Sequence, residues 1–548
     1  MQIINGRSAS GGIAVGKLKI VRRGKQNFDE KKSDDKGREL EKLKRAEVLL
    51  DAELDELYEK ALLKVGEKEA SIFEIHKMML HDDDFMALAA EKIENENMSA
   101  ERAASEAARS LGEIFLSMES EYMKARSADI IAVADRLCEI IRGEKREVLL
   151  SEPSVIAADD LTPAETVSLD KTMVLGFVTE RGSEMSHTAI LARMMGIPSV
   201  ICTGKISDEF DGHDVILDGD KGVLRVDPDQ NTLITFKELL RERISQKNRL
   251  DGVRGKKCVT KDGVEIKVCA NVSELSDVDE AVKFDAEGIG LFRSEFLYMK
   301  DDRAPDEDEQ YEIYRSAVEK MDGKECVIRT LDVGADKHIP YLTGNASEAN
   351  PALGIRAVRL CLRMPYILLT QFRALYRAAA HGNISAMIPM IVLPSEVERV
   401  REIAKEARES LSADNIPFGR MKIGIMIETP SAAILADLLA PLVDFFSIGT
   451  NDLIQYTLAA DRENPDVSYL TRSLPESVRR CIKMTCTAAK REGIPVSVCG
   501  EIGSDTSETK FLIDCGVTKL SVSPPNILKI RESALKAVGV SVYQSTKK

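Results

Sequence analysis

The chain has 548 residues, of which 44% are apolar and 30% charged, and its formal net charge is −15. That length exceeds one ordinary hydrophobic core, so roughly two to four domains are expected. No run of about 18 uncharged apolar residues occurs, so no membrane span is predicted. The negative charge argues against general nucleic-acid binding, which needs a basic face.

The N-terminus and the cysteines indicate a cellular compartment. The stretch from Met1 to Arg7 lacks a basic start followed by an apolar core, so no export signal is predicted. The ten cysteines are scattered without paired spacing, and most lie within apolar runs, as Cys269 and Cys326 do. This usage is typical of reduced, buried thiols, and we therefore expect a cytoplasmic protein.

A charged helical segment follows a short, glycine-rich, strand-like start over residues 3–21. From Ser33 the apolar residues recur at three- and four-residue steps and form one stripe, as on an amphipathic helix. The residues of this stripe are Leu40, Leu43, Ala46, Leu50, Leu54, Leu57 and Ala61. Similar patterns continue to about Gly143. The pattern alone favours a plain helical bundle over a platform that docks a partner.

Short strands return at Ser154 and continue to about residue 224. The simplest account is one α/β domain that is interrupted by a helical insertion and followed by a charged helical linker. The predicted boundaries are 1–30 and 146–230 for the α/β domain, 31–145 for the insertion and 231–260 for the linker.

One helix of this α/β domain begins beside a histidine. Ser186 is a good N-cap, and Gly196 followed by Pro198 ends the helix, so His187 falls in the first turn. The helix dipole there disfavours imidazolium and attracts an anion. A neutral imidazole can act as a nucleophile, and the same amides would stabilise a phosphoryl group on it. The alternative is an ordinary surface histidine.

Eight strand candidates alternate with helical segments in the C-terminal half. They are Val264–Val272, Gly288–Arg293, Cys326–Val333, Ala386–Val392, Ile423–Glu428, Phe445–Asn451, Pro495–Gly500 and Leu520–Ser523. Eight βα units in about 290 residues predict a TIM barrel over 261–548. A doubly wound open sheet is the alternative, but it does not usually need eight units. The fold class is therefore a multidomain α/β protein with a C-terminal (β/α)8 barrel and an N-terminal α/β domain that carries a helical-bundle insertion.

Polar residues gather at the predicted carboxyl ends of the barrel strands, where barrel enzymes place their chemistry. Glu428 and Asp452 follow successive strands, and two carboxylates suit Mg²⁺ or Mn²⁺ with substrate oxygens completing the coordination. The alternative is that Asp452 caps a helix over 453–460 and that Glu428 forms a salt bridge.

Cations and a thiol lie at the same predicted rim. Arg293 and Arg329 end the second and third strands, Arg462 follows the sixth, and guanidinium forks bind phosphate and carboxylate. Lys337 could add a point charge. Cys499 could donate a proton to carbon. Surface ion pairing and inert packing are the alternatives for the arginines and the thiol.

Several short motifs occur in an order that is more specific than any one of them. They are Gly12-Ile-Ala-Val-Gly, Asp160-Leu-Thr-Pro, Ser186-His-Thr-Ala-Ile-Leu-Ala-Arg, Gly288-Ile-Gly-Leu-Phe-Arg-Ser-Glu, Arg329-Thr-Leu-Asp-Val-Gly-Ala-Asp-Lys, Asn350-Pro-Ala-Leu-Gly-Ile-Arg, Ile427-Glu-Thr-Pro, Gly449-Thr-Asn-Asp-Leu-Ile-Gln-Tyr and Cys499-Gly-Glu. In this order, almost end to end, the chain resembles enzyme I of the bacterial phosphotransferase system, the phosphoenolpyruvate–protein phosphotransferases.

The resemblance implies a role for each matching residue. His187 matches the phosphorylated histidine and Cys499 the proton donor, while Glu428 and Asp452 match the ligands of Mg²⁺, which Mn²⁺ could replace. The residues that match the phosphoenolpyruvate-binding set are Arg293, Arg329, Asn451, Asp452 and Arg462. The implied reaction is autophosphorylation on His187, transfer to the carrier protein HPr and release of pyruvate in sugar transport.

The resemblance also implies partners and assembly. The helical insertion matches the region that docks HPr, and family members form homodimers through the barrel. Charge and hydropathy, by contrast, are the grounds on which we expect neither nucleic-acid binding nor direct membrane insertion. Before His187, however, Ser183, Glu184 and Met185 replace the family's usual residues, and Cys202 stands where glycine is common. Two alternatives stay open: a weakly active relative that senses phosphoenolpyruvate or binds a partner, and a relative of pyruvate phosphate dikinase without its ATP domain.

Overall fold

The computed structural model of the chain describes residues 1–22, 33, 35–65, 67–118, 120–144, 150–159, 161–170, 172–183, 186–300, 302–333, 339–343, 348, 350–462, 464, 466–470 and 474–538. The chain divides into two compact units, Met1–Ser245 and Gln246–Lys548, called unit 1 and unit 2 below. Within the described residues, no helix combines the length and the apolar character needed to cross a bilayer.

Unit 1 contains a mixed eight-stranded sheet. Its strands are β1 (Gln2–Asn5), β2 (Arg7–Ser10), β3 (Ile13–Val21), β4 (Ser154–Ala158), β5 (Val174–Thr179), β6 (Ser199–Ile201), β7 (Asp214–Asp218) and β8 (Val223–Val226). They lie in the order β1-β8-β7-β3-β4-β5-β6-β2. Only Gly6 separates β1 from β2, so the two edges of the sheet are formed by neighbouring segments of the chain.

Five helices are inserted between β3 and β4. They are α1 (Lys36–Val65), α2 (Glu67–Leu80), α3 (Asp83–Glu96), α4 (Ala100–Ser117) and α5 (Glu121–Arg142). The predicted apolar stripe lies on α1, and six of its seven residues are buried in one hydrophobic cluster with Leu40 packed against it. Helix α1 begins slightly after the predicted start, since the Asp35 carboxylate accepts a hydrogen bond from the Arg38 amide at 3.0 Å.

Two shorter helices lie between the later strands of unit 1: α6 (Pro163–Ser168) and α7 (His187–Met195). The linker helix α8 (Gln230–Asp251) leaves the sheet, and none of its residues is buried. Arg243 pairs with Asp220 at 2.6 Å within unit 1, and Arg249 pairs with Glu532 at 2.6 Å within unit 2. The first part of the helix is thus ion-paired within unit 1 and its last part within unit 2.

Unit 2 is a closed barrel of eight parallel strands, which confirms the predicted TIM barrel. The strands are β9 (Lys267–Val272), β10 (Gly288–Arg293), β11 (Glu325–Arg329), β12 (Ile384–Ile388), β13 (Lys422–Ile427), β14 (Phe446–Ile448), β15 (Val496–Val498) and β16 (Lys519–Val522). Every strand predicted for this half is present, and the observed strands are generally shorter.

Helices separate the barrel strands along the chain. They are α9 (Leu275–Lys283), α10 (Glu295–Met299), α11 (Glu307–Lys320), α12 (Pro340–Thr343), α13 (Val358–Arg363), α14 (Pro365–Ala378), α15 (Pro394–Ala413), α16 (Pro430–Ile434), α17 (Ala436–Leu439), α18 (Thr450–Leu458), α19 (Glu476–Glu492), α20 (Thr509–Cys515) and α21 (Ile527–Lys536). The main core of unit 2 packs these helices against the outside of the strands. A smaller cluster lies inside the barrel: Leu291, Val327, Met387, Met426, Phe445 and Cys499.

Candidate active site

A cavity of about 220 Å³ lies at the carboxyl ends of the barrel strands. Its lining is mostly charged or polar: Leu291, Arg293, Glu295, Arg329, Asp332, Arg356, Met426, Glu428, Gly449, Asn451, Asp452, Arg462, Cys499 and Gly500. Seven residues that the sequence analysis proposed for one rim therefore line one cavity. They are Arg293, Arg329, Glu428, Asn451, Asp452, Arg462 and Cys499.

Two buried carboxylates form one wall of this cavity. Glu428 follows β13, is 1% exposed and accepts a hydrogen bond at 2.6 Å from the Met390 amide. Burial raises the pKa of Glu428 well above its usual range, and the charges of Asp452 and Asp332 raise it further. Because these two carboxylates are shielded from solvent, a bound cation would stabilise their ionised forms. Two oxygen donors also fit a hard divalent metal ion.

The protein's own metal ligands are few. Among the described residues, no group of three or more histidine, cysteine, aspartate or glutamate side chains could hold a metal ion. Two carboxylates leave most of an octahedral coordination sphere to water or substrate oxygens, as is usual for Mg²⁺ at phosphate sites. The donor chemistry therefore fits a metal that binds together with a phosphorylated substrate.

Two buried arginines lie beside the acids. Arg329 Nη2 donates to Glu295 Oε1 at 2.5 Å, and its Nη1 lies 2.8 Å from Asp332 Oδ2. Arg356 Nη2 donates to Asp332 Oδ1 at 2.9 Å, and its Nη1 donates to the Tyr456 hydroxyl at 3.2 Å. Burial opposes their charges, yet the surrounding carboxylates raise the pKa of both guanidiniums above the ordinary value. Both arginines therefore stay charged inside the protein.

Arg293 and Arg462 form the solvent-exposed part of the cavity. Neither guanidinium is ion-paired with a carboxylate of the described residues, in contrast to the buried pair. Asn451 is half-buried and exchanges hydrogen bonds with Glu501, one at 3.2 Å from its Nδ2 and one at 3.0 Å to its Oδ1. Two exposed cations and one fixed amide are thus available for an incoming anion.

Cys499 places a thiol in the same cavity. It is 5% exposed, and its sulfur accepts a hydrogen bond from the Ser447 hydroxyl at 3.3 Å. Burial raises the pKa of the Cys499 thiol to about 11, although the Ser447 hydrogen bond acts in the opposite direction. The thiol therefore keeps its proton at neutral pH and can serve as an acid.

The alternative roles considered for the two acids are not observed. Asp452 does not cap a helix, because α18 begins earlier than expected, at Thr450, and Gly449 occupies the N-cap position. Asp452 lies instead in the first turn, 4.0 Å from Arg356 Nη1. Glu428 forms no salt bridge with a described cation and is held by the backbone amide of Met390.

The sequence analysis missed Arg356 and Glu295 as residues of the cavity. Arg356 follows a 3-10 turn at Pro351–Leu353 rather than a strand, so a search of strand ends does not find it. The signal available was its place at the end of the Asn350–Arg356 motif. Lys337, which the sequence proposed as a further cation, lies outside the described residues.

His187 belongs to unit 1, where it begins helix α7 as predicted. The Ser186 hydroxyl accepts a hydrogen bond from the Ala189 amide at 3.4 Å, and Gly196 ends the helix in the left-handed conformation. Cys202 has a φ of 56°, the left-handed region that favours glycine, and its thiol donates to the Gly182 carbonyl at 2.9 Å. Glu184, Met185 and the side chain of His187 lie outside the described part.

Three protein-family models match the chain in consecutive segments. They are the N-terminal domain of PEP-utilising enzymes over residues 5–126, the mobile domain of these enzymes over 150–222 and their PEP-binding domain over 247–538. The fold and the cavity therefore belong to a PEP-utilising enzyme.

Curated relatives narrow this class. The phosphoenolpyruvate-protein phosphotransferase of Priestia megaterium is 39% identical over 96% of this chain and 93% of its own. That of Bacillus subtilis is 38% identical over 98% of this chain and 95% of its own. An NMR structure of an Enzyme I protein is 33% identical, covering 44% of this chain and 99% of its own, with a TM-score of 0.40. The chain belongs to the phosphoenolpyruvate–protein phosphotransferase family, a family of transferases.

Proposed function

We propose that the protein transfers the phosphoryl group of phosphoenolpyruvate to His187 and then to the carrier protein HPr, releasing pyruvate, within the phosphotransferase system of sugar uptake. The observation that carries this proposal is the cavity of unit 2, in which four buried carboxylates, four arginines and a protonated thiol meet. Phosphoenolpyruvate carries a phosphate, a carboxylate and a carbon that must gain a proton, and these groups match the cavity's chemistry.

Substrate binding is assigned to the cationic side of the cavity. Arg293 and Arg462 are exposed and free to form paired hydrogen bonds with phosphate or carboxylate, and Arg329 holds a fixed charge behind them. Asn451 and Asp452, on the first turn of α18, complete the proposed set. The exposed guanidiniums of Arg293 and Arg462, which have no carboxylate partner among the described residues, explain how a protein with a net charge of −15 can attract a substrate of the same sign.

The family generally uses a divalent metal ion. We assign Mg²⁺, which Mn²⁺ can replace, to Glu428 and Asp452 because both ligands are hard oxygen donors. When bound, the ion would supply Lewis-acid charge at the phosphoryl oxygens.

The phosphoryl transfer itself depends on His187. Its place in the first turn of α7 favours the neutral imidazole, whose lone pair attacks phosphorus in line with the leaving enolate oxygen. Arg293 and Arg329 hold the phosphoryl charge during this step. The P–O bond breaks, and the enolate of pyruvate stays in the cavity. His187 is in unit 1 and the cavity in unit 2, so the reaction requires the two units to meet.

Protonation completes the release of pyruvate. The Cys499 thiol gives its proton to C3 of the enolate, and the thiolate regains a proton from water after pyruvate leaves. The raised pKa of this thiol ensures that the proton is present when the enolate forms.

The phosphoryl group is then carried to HPr, for which we propose the helical insertion as the docking region. Apolar side chains are exposed on α1, α2, α4 and α5, and we assign them to the docking surface. They include Val48, Leu49, Met78, Ile114, Leu116 and Ile131. The domain boundaries predicted from the sequence are part of this proposal: 1–30 with 146–230 bears His187, 31–145 docks HPr, and 231–260 links them to the barrel.

For the barrel we propose homodimerisation. Ile434, Leu438 and Met484 lie on α16, α17 and α19, and all three are exposed. Burial of this apolar face against a second copy would stabilise a dimer.

The proposal is tested with ³²P-labelled phosphoenolpyruvate and Mg²⁺. Wild-type protein is expected to retain acid-labile label and to pass it to HPr, whereas His187→Ala retains none. His213→Ala, which changes another unit 1 histidine that pairs with Asp227 at 2.8 Å, serves as the matched control and should label normally. Wild-type protein without label would favour the sensor alternative. In a parallel reaction with labelled ATP in place of phosphoenolpyruvate, label on the wild-type protein would favour the dikinase alternative.

A further inference from the structure

The sulfur of Cys499 has a defined hydrogen-bonding environment. The Ser447 hydroxyl donates to it at 3.3 Å, and the nearest acceptor for its own proton is the Ile448 carbonyl at 3.7 Å. Ser447 lies on β14 and is completely buried. Its hydroxyl therefore contacts neither solvent nor the exposed rim of the cavity. The Cys499 sulfur inside the barrel is the acceptor for its proton.

The other neighbours of the sulfur are mainly apolar. Leu291 and Met426 line the cavity and belong to the same buried cluster as Cys499. The charged groups that act on the thiol come from other strands of the barrel: Glu428 after β13, Arg329 on β11 and Arg293 on β10. Among the described side chains, Ser447 is the one that forms a hydrogen bond with the sulfur.

The backbone of Cys499 is also fixed. Asn271 Nδ2 donates to the Cys499 carbonyl at 3.0 Å, and the Ser521 hydroxyl donates to Asn271 Oδ1 at 2.6 Å. With the backbone held and one sulfur lone pair occupied by Ser447, the S–H bond is left to point either at Ile448 or into the cavity. A 3.7 Å contact to a carbonyl is a weak competitor for that proton.

We infer that Ser447 is a positioning residue for proton transfer between Cys499 and C3 of the substrate, a role that rests on the proposed function. Its hydroxyl orients the thiol toward the cavity, where the apolar side chains of Leu291 and Met426 offer a place for the CH₂ group of phosphoenolpyruvate. When the S–H bond breaks and the new C–H bond forms, sulfur keeps the electron pair. The Ser447 O–H group then donates to the thiolate, which is a stronger acceptor than the thiol.

The test compares Ser447→Ala with Ser497→Ala. Ser497 is paired in register with Ser447 on the adjacent strand, is 6% exposed and donates to the Phe446 carbonyl at 3.2 Å. Its substitution therefore removes one buried hydroxyl that does not contact the sulfur. Two readouts are used: the burst of phosphohistidine from phosphoenolpyruvate, and the exchange of pyruvate methyl hydrogens with D₂O in the presence of Mg²⁺, followed by NMR. Only the second depends on proton transfer at C3.

We expect Ser447→Ala to slow the exchange about tenfold, the equivalent of one hydrogen bond, while the phosphohistidine burst changes less than about twofold. Ser447→Thr, which retains the hydroxyl, should recover part of the exchange rate. Ser497→Ala should leave both readouts near wild type.

Three other outcomes would contradict either the positioning role of Ser447 or the proposed function. An exchange rate in Ser447→Ala equal to that of Ser497→Ala would overturn the positioning role and leave the proposed function intact. An equal fall of burst and exchange in Ser447→Ala would make the residue structural. Wild-type protein that forms no phosphohistidine would overturn the proposed function itself.

Discussion

Arg356 donates a 2.9 Å hydrogen bond to Asp332, and both side chains are buried at the bottom of the cavity. The second oxygen of Asp332 lies 2.8 Å from Arg329, so a single carboxylate holds two guanidiniums in place. Arg329 also donates to Glu295, so two carboxylates balance the two buried guanidiniums. Among the described residues, the guanidiniums of this cavity that lack a carboxylate partner are those of the exposed Arg293 and Arg462, and these can act on a bound anion.

The geometry of Arg356 leads to the first prediction. Lysine has one compact charge and cannot contact Asp332 and Tyr456 together, as the guanidinium does. Arg356→Lys should therefore raise the KM for phosphoenolpyruvate about tenfold or more while the protein stays folded, measured by initial rates of pyruvate release. Arg359→Lys is the control, because Arg359 donates to the Leu353 and Gly354 carbonyls outside the cavity. Equal KM values for the two variants would contradict the assignment.

Glu428 leads to the second prediction. Glu428→Gln should abolish Mg²⁺-dependent labelling of His187, because an amide is a weak ligand for a hard cation. Burial raises the pKa of this carboxyl, so its stabilising effect is present at low pH and is lost as pH rises through the folded-state value. The metal-free variant should consequently be at least as stable as metal-free wild type at pH 8. Electron paramagnetic resonance measures the loss of Mn²⁺ binding, and thermal melting measures the stability of the metal-free proteins. An unchanged affinity for Mn²⁺ would contradict the assignment of Glu428 as a metal ligand.

Cys499 leads to a prediction about pH. An ordinary cysteine loses its proton near pH 8.5, whereas burial raises the pKa of Cys499 to about 11. Since the acid form is the donor, pyruvate release should show no loss from this thiol up to about pH 10. Cys499→Ala should slow pyruvate release about 100-fold and leave dephosphorylation by HPr unchanged. An alkaline limb near pH 8.5, or equal effects on both steps, would argue that the thiol is structural.

Gly500 leads to a prediction about close packing. A Cβ atom at this position would lie 1.9 Å from the Thr450 hydroxyl and 3.0 Å from Asn451 Oδ1. Gly500→Ala should therefore displace the first turn of α18, which bears Asn451 and Asp452, and raise the KM for phosphoenolpyruvate. Gly503→Ala, whose added atom would meet nothing closer than 3.5 Å, is the matched control and should behave as wild type. Isothermal titration with a non-reactive analogue separates weaker binding from slower chemistry.

Asp285 leads to a prediction about stability. Its carboxylate pairs with Arg531, a guanidinium that is 1% exposed, and accepts from the Gly255 amide at 2.6 Å. Burial opposes the charge, but these hydrogen bonds lower the pKa of Asp285 overall, so its stabilising effect is present above the unfolded value near 3.9 and is lost as pH falls. Asp285→Asn should lower the free energy of unfolding by about 3 kcal/mol at pH 7.

The control for this change is Asp279→Asn. Asp279 pairs with the exposed Lys320 at 2.7 Å, and loss of such a surface pair should lower the free energy of unfolding by less than about 1 kcal/mol. Urea unfolding of both variants at pH 7 and at about pH 2, below the unfolded value, gives the comparison. A difference between them that did not shrink at the lower pH would contradict the role of the Asp285 charge.

Much of the fold could be predicted because its signals are local. The stripe on α1 and the strand–helix alternation of unit 2 each depend on residues close in sequence, and the structure contains both. The ends of the helix that begins at His187 were predicted correctly because its N-cap, Ser186, and its C-cap, Gly196, are adjacent to it in the sequence.

Contacts between distant segments could not be predicted in this way. Arg356 reaches the cavity from a turn, through Asp332 and Tyr456, which are 24 and 100 residues away. The hydrogen bond from Ser447 to Cys499 joins residues 52 apart, and neither contact leaves a pattern in one sequence. The start of α18 was misplaced for a related reason: Thr450, Asn451 and Asp452 favour caps over helix interiors, and tertiary packing overrides that preference.

The position of β1 and β2 at the two edges of the unit 1 sheet has a consequence for solubility during folding and storage. Exposed strand edges recruit strands of other molecules and so initiate aggregation. The barrel has no edge at all, and in unit 1 the two outermost strands are four residues each and joined through Gly6. Within the described residues, the outermost strands thus offer other chains two short templates for intermolecular pairing, Gln2–Asn5 and Arg7–Ser10.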